Sequence, residues 1–553
     1  MSGWKPATLL LLPALGLTLA ALFAPGTQDG ARVSRDQKPA VWTASGMERI
    51  GRADAPVQRQ NVEIWAARGE YEPFQIVITA RAEAIRGVDL AASDLNGPQG
   101  CIIPAAALAF YREHYVQVTS PSPDPGHGNR PLGKGWYADA LIPFSEPRIR
   151  RRPLLELGAA PFDVAPNTNQ PVWVDVHVPF DARPGVYRGN VHVFSHQQNT
   201  RLPISLHVWG FALPLKPTLR SSFGMHQPNL TDRRVHEVLL QHRVMPESVN
   251  PGDAREFEEK LGLNTTALRF WGNSNRNTCT MDLPPTPAQI ASASRMYPLD
   301  LPLHIYPADE IDPCPSLFPT VRNWAANMHA ADPRIRNLVT VSPKPALYDD
   351  GAGMGRSAVD IWTLLPSAYE AARPRVLALQ AKGDEIWSYT ALVQDSFSPK
   401  WEIDFSPINY RIQPGFISQS LGLTGILYWR VDLWSRAPWQ DMRGFSIDGN
   451  FYPGEGMLVY PGQQAGVAAV LPSMRLKWIR EGVEDYEYVA ILKRLGRGSW
   501  ALDQARRVGA DWRNWTRDPT LLELVRRELG DEIERLSSSP MSDQARANRP
   551  GVR

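Results

Sequence analysis

The spacing of hydrophobic and polar positions changes once along the chain, near residues 214–217. From about 40 to 215, apolar and polar residues alternate in short runs such as Val62-Glu63-Ile64-Trp65-Ala66. Similar runs occur at 74–78, 172–178, 189–193 and 202–208, and Pro, Gly and Asp residues mark turns between them. Several short alternating strands with turns between them predict an antiparallel β-sandwich over 40–215.

From about residue 220, strand-like runs alternate with helical patterns instead. Eight candidate strands lie at 221–225, 244–249, 265–270, 303–306, 338–341, 359–362, 385–389 and 425–429. Helical patterns lie between them at 232–242, 253–261, 285–296, 316–330, 366–382 and 407–421. This alternation predicts a (β/α)8 TIM-like barrel over 220–495, with a fifth crossover too short for a helix. The predicted fold class is therefore multidomain α/β.

A long amphipathic helix is predicted from Ser473 to Leu495. Its apolar residues are expected on one face, surrounded by the charged residues of the 480–487 segment. This pattern favours a charged helix that seals the barrel. A helical extension over 496–536 and a polar, disordered tail over 537–553 are expected after it.

The first 31 residues have the pattern of a targeting segment. Lys5 is the only early charge, and residues 7–24 are uncharged and mostly apolar. This predicts a signal peptide and therefore export, to the periplasm or beyond the cell. The apolar run is also long enough to stay as an N-terminal membrane anchor, so cleavage and anchoring both remain open.

The amino-acid composition restricts which partners and which metal or cofactor sites can be expected. The net charge is +2 and there is no long basic run, which argues against a nucleic-acid partner. No metal-binding motif and no cofactor motif are present, so none is predicted. Of the three cysteines, Cys279 and Cys314 are candidates for a disulfide in an exported protein, and Cys101 is expected to be buried.

The main candidate for chemistry is the segment Leu303-His304-Ile305-Tyr306-Pro307-Ala308-Asp309-Glu310. Pro307 is expected to end the fourth barrel strand, because proline cannot donate to the ladder. The active site of such a barrel lies at the carboxyl ends of its strands. Asp309 and Glu310 would then share one cleft, and their repulsion favours one protonated and one ionised carboxyl. The alternative is that Asp309 caps a helix or that both are solvated loop residues.

Other predicted strand ends supply aromatic and polar residues that suit a sugar, which has apolar faces and a hydroxyl rim. For each single aromatic residue, packing in the core is the alternative. The predicted substrate-binding residues are Tyr306, Arg269, Trp271, Asp360, Trp387, Tyr389, Tyr428 and Trp429.

Several segments together resemble a known family. Gly425-Ile426-Leu427-Tyr428-Trp429, Leu458-Val459-Tyr460-Pro461-Gly462 and Arg480-Glu481-Gly482-Val483-Glu484-Asp485-Tyr486-Glu487-Tyr488 are similar to the C-terminal signature of the former domain of unknown function 4091. Val359-Asp360-Ile361-Trp362 and Ile386-Trp387-Ser388-Tyr389 also fit. That domain is the catalytic domain of glycoside hydrolase family 123, and the resemblance covers about 220–495.

The resemblance implies a retaining β-N-acetylgalactosaminidase in which the 2-acetamido group of the substrate is the nucleophile. By this match Asp309 orients the acetamido group, Glu310 is the general acid/base and Tyr389 holds the acetamido oxygen. An oligosaccharide or glycoconjugate is the implied substrate, and no cofactor is implied.

One departure from the family pattern keeps other functions open. The family commonly has Asp-Glu-Pro, whereas this chain has Asp309-Glu310-Ile311-Asp312-Pro313, so Asp312 is a further candidate carboxylate. The alternatives are a glycosidase of the same fold that acts on a different sugar, and a non-catalytic carbohydrate-binding or envelope protein.

Overall fold

The computed structural model describes residues 40–126, 129–144, 157–227 and 233–538. The predicted targeting segment 1–31 lies outside these ranges, as does the predicted tail except for residues 537 and 538. Among the described residues, no helix is long and apolar enough to span a membrane.

The alternating segments of the N-terminal part form two facing sheets. Twelve strands occur in the described residues up to 212: β1 Ala40–Ser45, β2 Val62–Arg68, β3 Tyr71–Thr79, β4 Ile85–Ala92, β5 Leu95–Asn96, β6 Ile102–Ile103, β7 Leu108–Val118, β8 Gly135–Pro143, β9 Phe162–Val164, β10 Asn169–His177, β11 Gly185–Phe194 and β12 Asn199–Ala212. One sheet has the order β1-β3-β10-β7-β8 and the other β2-β12-β11-β4-β9, with β5 and β6 attached to β11.

The two sheets pack as the period-two pattern predicts, because every second side chain enters the shared core. Ile76, Val174, Val191 and Leu206 are among the fully enclosed residues of that core. The predicted purely antiparallel arrangement needs one correction, since β2 runs parallel to β12.

Seven parallel strands form the sheet of the second part, in the order β13-β19-β18-β17-β16-β15-β14. Their bounds are β13 Arg220–Phe223, β14 Thr266–Ala267, β15 Leu303–Ala308, β16 Ile335–Val339, β17 Ile361–Leu364, β18 Glu385–Tyr389 and β19 Gly425–Tyr428. The strand predicted at 303–306 is therefore confirmed as part of a parallel sheet.

The segment 244–249 almost closes this sheet into a barrel. Phe223 donates its N–H to the carbonyl of Met245, and Ala267 donates to the carbonyl of Glu247. The segment therefore bonds to β13 on one side and β14 on the other. Pro246 has no N–H to donate, which explains why the predicted second strand is not a regular one.

Helices connect most of the barrel strands. They are α1 Arg233–Gln241, α2 Pro251–Leu261, α3 Pro287–Ser294, α4 Phe318–Ala331, α5 Pro366–Lys382, α6 Ile408–Ile412 and α7 Ser418–Leu421. The crossover between β16 and β17 has only the 3-10 turn Pro345–Leu347, as its short length predicts. The second part is thus a nearly closed parallel barrel, and it lacks the full set of helices of a (β/α)8 barrel.

The chain after β19 adds two small hairpins and three helices. The hairpins are β20 Phe445–Ile447 with β21 Asn450–Tyr452, and β22 Val459–Tyr460 with β23 Leu471–Pro472. The helices are α8 Met474–Arg494, α9 Gly498–Gly509 and α10 Pro519–Ser537.

Helix α8 forms over the predicted range, but it is buried on all sides, so the predicted division into an apolar face and a charged face does not match the structure. Every residue from Met474 to Leu492 is buried, and most of its charged side chains pair with charges on other elements. Gly482 is in contact with the α6 backbone, and a Cβ there would lie 2.2 Å from the carbonyl oxygen of Arg411. Only glycine permits this close approach of the two helices.

The partners of these buried charges come largely from the sandwich. Arg475 pairs with Asp139 at 2.9 Å, and both side chains are fully buried. Lys477 and Arg480 both pair with Asp175 of β10. Two buried carboxylates of the sandwich thus pair with three cations of the helix, and the described residues form one compact unit.

Candidate active site

A cavity of about 1290 Å³ opens at the carboxyl ends of the barrel strands. This is the end at which barrel enzymes carry their active sites. Eight of the predicted site residues line it, at the ends of β14, β15, β18 and β19, namely Arg269, Trp271, Tyr306, Asp309, Glu310, Tyr389, Tyr428 and Trp429.

A tight turn after β15 brings the two consecutive carboxylates into this cavity. The strand runs through Pro307 to Ala308, two residues beyond the predicted end, although its pairing with β16 becomes irregular between Ile305 and Ala308. Glu310 then adopts a left-handed φ of 47°. Such a conformation costs a non-glycine residue about 1 kcal/mol, so the neighbouring contacts have to hold it.

Asp309 is fixed through one of its two carboxylate oxygens. Tyr306 and Thr340 each donate a hydroxyl to Oδ1 at 2.6 Å. Ser274 accepts from the Asp309 N–H at 2.9 Å. Among the described residues no donor reaches Oδ2, so this second oxygen is available to a ligand.

Glu310 is held by a phenol and a guanidinium. Tyr389 donates its hydroxyl to Oε1 at 3.0 Å, and Arg276 forms an ion pair with Oε2. The Glu310 N–H donates to Oγ1 of Thr340 at 2.7 Å. Thr340 therefore contacts both members of the pair, and it sets their relative position.

The two tyrosines act as donors because they keep their protons. Burial, reinforced by the charge of Asp309, raises the pKa of Tyr306 well above its usual value. Burial together with the charges of Glu310 and Asp309 raises the pKa of Tyr389 in the same direction. Two protonated phenols thus point at two carboxylates.

A disulfide links the loops that carry these groups. Cys279 and Cys314 are bonded, as the sequence suggests, with their Cα atoms 5.3 Å apart. One side of the bridge belongs to the loop with Ser274 and Arg276, and the other follows Asp309 and Glu310. Cys101 is the free cysteine, and it is half-buried rather than buried as expected.

The aromatic candidates that line the cavity are held in different ways. Trp271 is 46% exposed and lies edge-to-face against Tyr306, with ring centroids 5.8 Å apart. Trp429 donates its indole N–H to Glu455. The Tyr428 hydroxyl accepts from the Gly456 N–H at 2.9 Å, so only part of its ring faces the cavity.

Two predicted residues do not reach the cavity. Asp360 precedes β17 and therefore lies at the opposite end of the barrel, where His329 and Arg356 contact its carboxylate. Trp387 is fully buried in the middle of β18, inside the barrel, and packs against the His304 ring. The prediction that Asp360 and Trp387 bind the substrate is therefore wrong.

The structure adds residues that sequence reasoning missed. These are Thr340, Arg276 and Glu247, which line the cavity. Asp312, the further candidate carboxylate of the sequence, lines it as well. Asp312 accepts from the Ser342 N–H at 3.0 Å and pairs with Lys344, so it is held away from the Asp309 contacts. Thr340 is a small polar residue directly after a barrel strand, and this position is the sequence signal that could have identified it as a site residue.

Within the described part of the chain, no cluster of His, Cys, Asp and Glu side chains could hold a metal ion.

Comparisons with known proteins identify the family. A model described as the glycoside hydrolase 123 N-terminal domain matches residues 51–195, and one described as the glycoside hydrolase 123 catalytic domain matches residues 358–492. Together they cover just over half of the chain. No curated protein matches.

Among solved structures, the chain is similar to a family 123 glycoside hydrolase from Clostridium perfringens, described for its hydrolysis of glycolipid glycans. The identity is 12%, the match covers 92% of this chain and 100% of the other, and the TM-score is 0.62. A β-glucuronidase from Bacteroides uniformis is 10% identical, and the match covers 73% of this chain and 48% of the β-glucuronidase chain, with a TM-score of 0.29.

The C. perfringens structure shows the same overall fold, and both family models agree with the order of the sandwich and the barrel. The catalytic model begins after Asp309 and Glu310 and includes Tyr389, Tyr428 and Trp429. The chain belongs to glycoside hydrolase family 123 and is a glycoside hydrolase.

Proposed function

We propose that this glycoside hydrolase is a retaining β-N-acetylhexosaminidase of the N-acetylgalactosaminidase type, in which the substrate's own acetamido group is the nucleophile. One observation carries the proposal. Two consecutive carboxylates enter one cavity, and each is fixed by its own phenol, Asp309 by Tyr306 and Glu310 by Tyr389.

In the first half of the reaction Asp309 prepares the nucleophile. Its free Oδ2 accepts the acetamido N–H, which increases the electron density on the acetamido oxygen. That oxygen attacks C1 while the glycosidic C1–O bond breaks. The electron pair of the broken bond goes to the leaving oxygen, which takes a proton from Glu310, and the sugar becomes an oxazoline-like bicycle.

In the second half water replaces the leaving group. Glu310, now ionised, takes a proton from the water as the water oxygen attacks C1. The bond between C1 and the acetamido oxygen breaks, and the acetamido group is restored. Two inversions at C1 give net retention, and Glu310 ends with its proton.

The hydrogen bonds of the free enzyme support this division of roles. Oδ1 of Asp309 already accepts two hydroxyls, so the carboxylate needs no reorientation when a substrate binds. The acid step requires a protonated Glu310. The Arg276 guanidinium therefore has to leave Oε2 when the leaving group arrives.

The substrate is proposed to be an oligosaccharide or glycoconjugate. Trp271 at the mouth and Trp429 in the wall offer apolar surface to a sugar face. The relative from C. perfringens is described for glycolipid glycans. We extend this substrate class to the present chain as part of the proposal.

The protein is also proposed to be exported. The apolar run 7–24 after Lys5 supports this, and the Cys279–Cys314 disulfide is typical of oxidising compartments. Cell fractionation with N-terminal sequencing tests it. Full-length protein in the cytoplasm with three reactive thiols contradicts it.

A panel of aryl β-glycosides tests the reaction. It compares galactosides and glucosides with and without a 2-acetamido group, and nuclear magnetic resonance follows the anomer first released. We expect turnover to require the acetamido group, the β-anomer to appear first, and a thiazoline mimic of the bicycle to inhibit. Equal kcat/KM for substrates without the acetamido group would remove the substrate-assisted mechanism.

A further inference from the structure

Glu247 is a further carboxylate of the cavity, away from the Asp309-Glu310 turn. It belongs to the segment 244–249 that nearly closes the barrel, and its side chain lines the cavity. Its N–H donates to the carbonyl of Phe223 at 3.0 Å, and its carbonyl accepts from Ala267 at 2.7 Å. The backbone is therefore fixed on both sides, as a binding residue requires.

The carboxyl group of Glu247 has no partner among the described residues, neither a hydrogen-bond donor nor an ion pair. Two cationic or titratable side chains lie close enough to influence it, His226 from the end of β13 and Arg269 from the end of β14. Arg269 donates its Nε–H to Ser248 at 3.0 Å instead. His226 is fixed through its backbone N–H, which donates to Asp432 at 2.9 Å.

Such a carboxyl group is free to accept hydrogen bonds from a ligand in the cavity. Burial raises the pKa of Glu247, while His226 and Arg269 lower it less strongly. A half-buried carboxylate without a protein donor can exchange its remaining water for the donors of a ligand. It has two acceptor oxygens, and two neighbouring hydroxyl groups of a sugar ring are donors with matching spacing.

We propose that Glu247 is a specificity-determining residue that accepts hydrogen bonds from ring hydroxyl groups of the bound sugar. The inference rests on the proposed function in so far as the cavity holds a sugar. In this proposal the side of the cavity near 244–249 recognises the hydroxyl groups of the sugar. The side that carries Asp309 and Glu310 performs the reaction. Other substituents of the sugar are not recognised by Glu247.

The test combines enzyme variants with substrate analogues. Wild type, Glu247→Gln and Glu247→Ala are assayed on an aryl 2-acetamido-2-deoxy-β-galactoside and on its 3-deoxy, 4-deoxy and 6-deoxy forms. We expect Glu247→Ala to lower kcat/KM on the parent by about 10- to 100-fold. On the one or two analogues that lack the recognised hydroxyl, wild type and variant become nearly equal.

The exposed Glu83→Gln of the sandwich is the matched control, and we expect it to behave as wild type on every substrate. Thermal unfolding checks that each variant is folded. Equal loss by Glu247→Ala on the parent and on all deoxy analogues would overturn the proposal, because it indicates a structural role.

A binding measurement separates this proposal from the proposed reaction. The Glu310→Gln variant, with and without Glu247→Ala, is titrated with N-acetylgalactosamine, galactose and their deoxy forms. Weaker binding that follows Glu247 and a particular hydroxyl supports the inference even if no acetamido glycoside is hydrolysed. Unchanged binding after Glu247→Ala, or no binding of any of these sugars, overturns it.

Discussion

Tyr389 donates its hydroxyl to Oε1 of Glu310 at 3.0 Å and so joins the ends of β18 and β15. Two strands, β17 and β16, lie between them in the sheet, so the hydrogen bond spans part of the barrel mouth. Glu310 is therefore positioned from two directions, by its own turn and by a distant strand.

The first prediction concerns the general acid. Glu310→Gln should lower kcat/KM by about 10²–10⁴-fold for an alkyl or sugar leaving group, because no proton can be delivered to it. An activated nitrophenyl leaving group needs little protonation and should lose much less in its first step. Steady-state and burst kinetics on the two substrates measure the difference. Wild-type rates on both would exclude Glu310 from the reaction.

The second prediction concerns Asp309. Asp309→Asn should slow substrates with good and poor leaving groups to a similar extent, since each needs the intramolecular attack. We expect a loss of about 10²–10³-fold in kcat, on the scale of one preorganised electrostatic contact. Retained activity with a nitrophenyl acetamido sugar would contradict the assigned role.

The third prediction uses the Cys279–Cys314 disulfide. Replacing both cysteines by serine should lower kcat/KM by about tenfold, because Ser274 and Arg276 are then less firmly held beside the two carboxylates. Loss of the cross-link should also lower stability, by about 2–4 kcal/mol.

Cys101→Ser is its control, and it should leave the kinetics unchanged because this thiol lies in the sandwich. Thiol titration should find one reactive group in the denatured, unreduced protein and three after reduction. A double-serine variant with wild-type kinetics would show that the hydrogen bonds alone position the loops.

The fourth prediction concerns Glu113, whose carboxyl group is fully buried in β7 without a hydrogen-bond donor in the described residues. Burial raises its pKa to about 8. The folded protein therefore keeps a proton that the unfolded chain releases near pH 4.5. The resulting stability is complete below that pH and is lost as the pH rises towards 8, in total about 5 kcal/mol.

Glu113→Gln replaces the protonated carboxyl by a neutral group of the same shape. Its melting temperature should fall less between pH 5 and pH 8 than that of wild type, and it should be the more stable protein at pH 8. Differential scanning fluorimetry across this range measures both. Parallel curves for the two proteins would contradict the assignment.

The fifth prediction concerns the buried Arg475–Asp139 pair. Asp139→Asn should destabilise the fold by about 3–5 kcal/mol, because it leaves a buried guanidinium without its counter-charge. The exposed pair of Arg255 and Glu259 is the control, and Glu259→Gln should cost less than about 0.5 kcal/mol. Similar unfolding free energies for the two variants would refute the argument.

The elements with a clear period of apolar and polar side chains could be predicted from the sequence. The sandwich, most barrel strands and the short crossover before β17 follow from local patterns. The Asp309-Glu310 pair could also be located, since it directly follows a buried strand. Thr340 and Arg276 could not, because each joins the pair through contacts between loops that are distant in sequence.

The errors have equally physical causes. The predicted strand 359–362 begins two residues before the observed one, and the actual start at Ile361 puts Asp360 at the other end of the barrel. The burial of the α8 charges cannot be predicted from the local pattern, because Asp139 and Asp175 supply the opposite charges from a sheet that is distant in sequence.

The burial of helix α8 also limits how this enzyme can be divided. A barrel expressed alone would present Arg475, Lys477 and Arg480 to solvent without Asp139 and Asp175, on a helix that is otherwise packed for burial on all sides. The barrel therefore needs the sandwich in order to fold, because the sandwich supplies the counter-charges of its buried helix. Recombination of such chains in evolution or in the laboratory should exchange sandwich and helix together, or neither.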